Sequence, residues 1–227
     1  MKNSKDTEVT SAHYFGERGE EYFNWQNRFA ERSGLINSRK FRELTNPSYR
    51  VLDFGCGGGY LLEALEANVK IGVEINPNAV KVAREKGIKV YESIEEIPSH
   101  SVDLIVSNHA LEHVMYPVAS LKELYRVMKI DSKIRICVPI DDWRRQRKFD
   151  PRDINNHLYT WTPQLMGNCL VEAGFLPEDI SISIFSHSWF PGTKYLWKQE
   201  KIFDLLCSIY ATLRRNGRQI IVTAIKS

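Results

Sequence analysis

Ten residues, Val51 to Tyr60 (VLDFGCGGGY), hold the densest chemistry in the chain. Gly55, Gly57, Gly58 and Gly59 leave the main chain open, so its N–H groups can close on a ligand. Asp53 puts a carboxylate just before the first of them. Glu74 follows about 20 residues after that glycine, where a doubly wound nucleotide fold sets an acid against ribose hydroxyls. A dinucleotide fingerprint needs G-x-G-x-x-G, but the glycines here run G-x-G-x-G and Tyr60 holds the place of the third. Asp53 also argues against a diphosphate on the same amides. Unit charges a few ångströms apart interact by about 1–4 kcal/mol at effective dielectrics of 80 to 20. A ligand with an ammonium group and no phosphate suits such a loop.

The elements that must position these residues can be read from hydrophobic pattern and turn chemistry. Val51, Leu52 and Phe54 predict a buried strand, and Leu61 to Leu65 a helix after the loop. Lys70 to Glu74 is a second strand. Pro77 opens a helix to about Lys86, with Gly87 at its end. Ile88 to Tyr91 is a third strand, followed by the acidic turn ESIEEIP. Val102 to Ser107 is a fourth, a helix spans Val118 to Met128, and a turn at Lys129 to Ser132 leads into a fifth strand, Lys133 to Val138. Strand and helix in alternation imply a parallel sheet with right-handed crossovers. Upstream, recurring aromatics predict a helix from His13 to Ala30, and a second runs from Gly34 to Leu44 before Asn46-Pro47 breaks it. Residues 1 to about 10 read as a frayed polar end.

S-adenosylmethionine is a ligand with an ammonium and no phosphate. The order VLDFGCGGG, VEIN, DLIVSNHALEHV resembles the class I S-adenosylmethionine-dependent methyltransferases from about Tyr49 to Phe175. It is similar to small-molecule types such as the ubiquinone-pathway and sugar or natural-product O-methyltransferases. The resemblance implies an α/β, Rossmann-like doubly wound sheet, mostly parallel with an antiparallel last strand, and helices on both faces. The final strand would be Gln219 to Ile225, tucked between its neighbours. Asp53, Gly55, Cys56, Gly57 and Tyr60 would surround the methionine part, and Glu74 with Ile75 the ribose. Ser93 and Ile94 would meet the adenine, with Ser93 where an acid often stands, and Ser107, Asn108 and His109 would line the methyl end. N-terminal helices would lid the cofactor, with Tyr14 or Phe15 over its methionine end. A methyl acceptor at oxygen or nitrogen must also lose a proton, and histidine is the usual base near neutral pH. The candidates are His109, His113 and His157. His157 is favoured because Tyr159 and Trp161 can wall an acceptor pocket around it. Some similar O-methyltransferases carry Glu-x-x-Glu-His and a distant histidine around a divalent metal. This chain has His109 for the first glutamate, and no metal is expected.

At 227 residues the chain suits one domain, with 1–46 as a helical cap and 139–163 and 186–217 as insertions. A hydrophobic share of 43% with 26% charged residues is that of an ordinary globular protein. The net charge of +3 forces neither nucleic acid nor membrane as a partner. No apolar run approaches the roughly 18 residues of a membrane span. The first ten residues hold no apolar signal core, so a cytoplasmic protein is expected. Cys56, Cys137, Cys169 and Cys207 are scattered, which favours buried thiols over disulfides or zinc. The expected function is methyl transfer from S-adenosylmethionine to a small-molecule acceptor, at oxygen. A nucleic-acid or protein methyltransferase, a catalytically inactive S-adenosylmethionine binder and an NAD oxidoreductase are the rivals. The cluster RRQRK (Arg144 to Lys148) is either a solvated turn or a phosphate or carboxylate clamp on the acceptor. Helix Tyr195 to Leu213 leaves open a homodimer contact, a membrane-surface dock or a substrate lid.

Overall fold

The computed structural model describes residues 12–142, 144, 146–190 and 192–227. The expected frayed start at 1–10, and Trp143 and Arg145 beside and within the basic cluster, lie outside the described residues. Seven strands form one sheet in the order β3-β2-β1-β4-β5-β7-β6. They are β1 Arg50–Phe54, β2 Val69–Val73, β3 Lys89–Tyr91, β4 Val102–Asn108, β5 Met128–Pro139, β6 Ile180–Ser186 and β7 Arg218–Ile225. The first five pair in parallel, and β7 runs antiparallel between β5 and β6 as expected. The strand order reverses between β1 and β4, which opens a crevice at their carboxyl ends.

Helices cover both faces: α1 Gly16–Asn27, α2 Ala30–Ser38, α3 Tyr60–Glu63, α4 Pro77–Glu85, α5 Pro117–Val127, α6 Pro163–Ala173, α7 Thr193–Leu196 and α8 Glu200–Arg214. Leu52, Phe54 and Ile71 pack on one face with Leu121, Leu124, Trp161 and Met166. Val51, Leu104 and Val106 pack on the other with Phe41, Leu62 and Val80. That split follows the two-residue alternation of a strand buried on both faces. The helix boundaries are set by local chemistry. Asn76 accepts from the N–H groups of Asn78 and Ala79 ahead of Pro77. Thr162 does the same for Leu165, and Gly174 ends α6 in the left-handed region at φ 114°.

Four elements depart from expectation. The helix after the glycine loop is a single turn, because Ala64 and Leu65 bond three residues back and close it. The expected turn at Lys129 to Ser132 is a bulge within β5: Asp131 takes φ 61° and its N–H bonds the Lys226 carbonyl at 2.7 Å. The late helix divides into α7 and α8, and α8 shows Ile202, Leu205, Ile209 and Leu213 to solvent. The N-terminal helices break at Arg28-Phe29, with Phe29 at φ −130° and ψ 12°, and α2 stops at Ser38, whose hydroxyl bonds back to the Leu35 carbonyl.

Helix α2 lies directly on the glycine loop's exit. A β-carbon at Gly34 would come 2.6 Å from the Tyr60 backbone, so only glycine permits this approach. Gly34→Ala is therefore expected to push α2 off the loop. Urea unfolding should show a loss of about 1–3 kcal/mol, as for overpacked sites. An unchanged midpoint would mean that α2 is not seated there.

Candidate active site

A cavity of about 480 Å³ lies where the ends of β1 to β4 meet α1. Gly55, Gly57, Glu74, Ile75, Ser93, Ile94, His109 and His113 all line it. The Glu74 carboxylate anchors this wall. One of its oxygens accepts from Gly57 N–H at 2.8 Å, and the other from Ile75 and Asn76 N–H, each at 2.8 Å. Gly57 stands at φ 52°, and a β-carbon there would meet only Gln26 Oε1, at 3.7 Å. The space before it is open.

Asp53 lies under this loop, only 2% exposed, and its Oδ1 has no hydrogen-bond partner. Burial first, and then the negative charge of Glu74, push its carboxyl up to about 8. An orphaned buried acid beside an open glycine loop fits a ligand carrying a positive group, and a negative one poorly. The residues present thus suit the aminoacyl and ribose parts of S-adenosylmethionine.

Toward the sheet's centre the cavity ends on a cluster of titratable groups. His109 takes φ 56°, and its N–H donates to the Cys137 carbonyl at 2.8 Å. Glu112 is 0% exposed, and neither carboxylate oxygen has a hydrogen-bond partner. Its nearest cationic candidates are His109 Nδ1 at 3.5 Å and His113 Nε2 at 3.9 Å. Burial raises Glu112 to about 7, and lowers His109 to about 3 and His113 to about 4. The loop after β5 docks here by its backbone: Leu158 and Tyr159 N–H both donate to the Glu112 carbonyl. This sets the His157 ring 5.0 Å from that of His113. His157 Nδ1 lies 2.8 Å from Asp141 Oδ2, whose hydrogen bond and charge hold the imidazole above its usual value against the opposing effect of burial. Donor atoms of Glu112, His113 and His157 lie within 4.8 Å of one another.

Several expected site residues sit elsewhere. Cys56 is buried against Gly72, and Ser107 is buried with its hydroxyl on the Phe54 carbonyl. Tyr60 turns away, donating to Asn27 Oδ1 at 2.9 Å with the Lys86 ammonium 4.2 Å from its ring centre. Asn108 accepts from Lys40 Nζ at 2.9 Å. These four, like Asp53, are not among the residues that line this cavity. Ser93 does line it, but its hydroxyl and N–H are taken by a capping box with Glu95 N–H and Glu96. Tyr14 is buried on the cavity wall, whereas Phe15 is exposed. Trp161 is a core residue and Tyr159 donates to the Met115 carbonyl, so neither walls a pocket around His157.

Sequence reasoning missed Tyr22, Phe23 and Gln26 of α1, and Glu92 and Glu95 after β3, all on the wall. Their signals were an aromatic helix and an acidic turn, which carry no ligand code. It also missed Asp141 as the partner of His157 and Lys40 as the partner of Asn108. A second cavity, of about 790 Å³, opens on the far side of His109 between the loop after β5 and the start of β7. Among the described residues, no helix is long and apolar enough to cross a membrane. All four cysteines are free and buried.

Residues 52–136 match the methyltransferase domain family. An uncharacterized methyltransferase of Schizosaccharomyces pombe is 36% identical over 77 residues, covering 30% of each chain. A ubiquinone biosynthesis O-methyltransferase of Xanthomonas oryzae pv. oryzae is 35% identical over 98 residues, 37% of this chain and 41% of that one. The chain thus spans well under two thirds of the length of these curated relatives. A crystal structure of a SAM-dependent methyltransferase from Archaeoglobus fulgidus superposes with a TM-score of 0.64 at 22% identity, covering 90% of this chain and 99% of that one. Matched segment, sheet order and glycine-loop geometry agree: residues 52–136 match the methyltransferase domain, and the fold is that of the S-adenosylmethionine-dependent methyltransferase structure it superposes on.

Proposed function

We propose that the protein transfers a methyl group from S-adenosylmethionine to a small-molecule acceptor, at oxygen. The observation that carries this reading is the pair of acids set against the glycine loop: Glu74 accepting from Gly57 N–H, and Asp53 at the end of β1 with Oδ1 unpartnered. A carboxylate offers about four acceptor sites. Backbone N–H groups fill three of those on Glu74, which leaves one for a ribose hydroxyl. Asp53 supplies negative charge below the aminoacyl end. Ile94 offers an apolar face to the adenine, and Glu92 and Glu95 flank it with the carboxylates that Ser93 lacks. Tyr14, Tyr22 and Phe23 close the cavity from above, which excludes water from the reacting centre.

When bound, S-adenosylmethionine supplies an activated methyl group, so the chain's residues mainly align the acceptor and take its proton. His157 is the base in this reading. Asp141 fixes its tautomer and keeps it basic, while burial makes His109 and His113 poor proton acceptors near neutral pH. A specific observation favours a second version, in which a divalent cation replaces the base. Glu112 is buried with both oxygens unpaired, beside two imidazoles at ligating distance from one another. A mixed nitrogen and oxygen set of this kind suits zinc, iron or manganese better than magnesium.

Three outcomes are expected. S-adenosylhomocysteine should bind in calorimetry, with an affinity that climbs from pH 6 to pH 8. A positive ligand favours the ionised form of a carboxyl lying near 8, so binding releases a proton and gains up to about tenfold per pH unit. Asp53→Asn should flatten that slope; a flat wild-type profile, or binding of NADH in its place, would sink the cofactor assignment.

Once labelled-methyl screens of small-molecule and RNA pools give an acceptor, His157→Ala should cut turnover about 10²- to 10⁴-fold, with S-adenosylhomocysteine affinity unchanged. The rate should rise with pH through the His157 pKa, and Asp141→Asn should move that limb to lower pH. Turnover on RNA alone would exclude the small-molecule reading. The cation version predicts that excess chelator abolishes activity and that one divalent ion restores it. Full activity in chelator leaves the histidine base.

A further inference from the structure

We infer that the cavity beyond His109 is the acceptor's pocket, and that Arg215 and Arg218 grip an oxyanion, phosphate or carboxylate, on that acceptor. This inference rests on the methyltransferase reading, because it takes the first cavity for the cofactor. The two cavities share one residue of the titratable cluster, His109, so a molecule in the second reaches the same wall as a cofactor in the first. At about 790 Å³ the space is of ordinary size for a small ligand.

Charge pairing selects what that ligand carries. Asp141 is held by His157, and Asp142 by the N–H of Arg144 at 3.0 Å and its guanidinium at 3.4 Å. The carboxylates on this wall are therefore already neutralised. Arg215 and Arg218 line the same cavity, and no acid pairs with either among the described residues. Behind them Lys40 Nζ donates to Gln219 Oε1 and to Asn108 Oδ1, each at 2.9 Å, and among the described residues no carboxylate pairs with it. Planar guanidinium forks suit bidentate capture of phosphate or carboxylate.

The turn that carries the two arginines is fixed in advance. Arg215 caps α8 in the left-handed region, at φ 51° and ψ 44°, held by its own N–H and that of Asn216 to the carbonyls of Thr212 and Ala211. On the other side, His187 N–H donates to the Gly217 carbonyl at 2.9 Å, and a β-carbon at Gly217 would meet the His187 carbonyl at 2.3 Å. Ile140 N–H bonds the Arg218 carbonyl at 2.9 Å, which ties this turn to the loop after β5. Little ordering is left for a ligand to bring about on binding.

The test is calorimetry on the full chain at constant ionic strength, with inorganic pyrophosphate and with citrate, each with and without saturating S-adenosylhomocysteine. At least one anion should bind. Arg215→Gln combined with Arg218→Gln should weaken it tenfold or more while S-adenosylhomocysteine affinity stays within twofold and the melting temperature is unchanged. Binding of pyrophosphate alone assigns a phosphate-bearing acceptor, and binding of citrate alone a carboxylate. If neither binds, or if binding survives the double substitution, the inference is overturned. If S-adenosylhomocysteine fails to bind, the methyltransferase reading falls separately, and the anion titrations without it still decide whether the arginines form a site. The paired variants Arg215→Lys and Arg218→Lys should retain charge but lose much of the affinity; full retention would show a general field and no fork.

Discussion

The Glu74 carboxylate binds together parts of the chain that would otherwise have no reason to stay aligned. It takes the N–H of Gly57 from the loop after β1, and those of Ile75 and Asn76 from the end of β2. Asn76 then caps α4 with its side-chain oxygen and donates to the Gly19 carbonyl of α1 through its amide nitrogen. One acid therefore fixes the shape of the glycine loop, the start of a helix and the seat of the covering helix. Charge-assisted hydrogen bonds of this kind are about twice as strong as neutral ones, which suits them to holding a site that is otherwise largely loop.

Around this anchor the fold keeps groups that harm its stability. Asp53 and Glu112 are both buried, with Oδ1 of the first and both carboxylate oxygens of the second lacking a hydrogen-bond partner. An unsatisfied buried polar group costs about 1–3 kcal/mol, and more when it is charged. Burial answers by raising both carboxyls, to about 8 and about 7, so near neutral pH each is poised to hold or release a proton. A core built for stability alone would fill these places with apolar side chains. The two acids differ in what is near them. Among the described residues the charge acting on Asp53 is that of another acid, Glu74, so an external positive charge would satisfy it. Glu112 has imidazoles on both sides, so a proton or a metal ion can satisfy it without any organic ligand.

Much of the fold was legible because its signals are local. Pro77 and Gly87 bracket α4, Pro163 and Gly174 bracket α6, and strand alternation gives the faces of β1. The antiparallel place of β7 followed from resemblance, since no local pattern encodes strand order. Nearness in sequence does not by itself put a side chain on the cavity wall. Tyr60 and Asn108 are beside cavity residues in sequence, but alternation and a helix start point their side chains to Asn27 and Lys40 instead. Ser93 lines the cavity as expected from its position, and its hydroxyl caps the turn it begins. Trp161 looked like a pocket wall because it is aromatic and on a long loop. Its size makes it more useful in the core, where it packs with Met166 and Leu170.

The side proposed for the acceptor was the least legible part, and the reason is topological. Its wall comes from the loop after β5 and from the turn before β7, segments about 70 residues apart that meet because β7 pairs antiparallel with β5. That pairing sets Pro139 opposite Gln219, so the exit of one strand and the entry of the other share one edge of the sheet. Arg215 and Arg218 then line the same space as Asp141, whose carboxylate holds His157. In the sequence the arginines look like a solvated turn after a helix, and the RRQRK cluster looks like the stronger basic signal. In the fold Arg144 of that cluster is engaged by Asp142, while among the described residues no acid pairs with the quieter pair. Unsatisfied charge on a fixed turn, more than local density of charge, is what marks a surface as built to receive something.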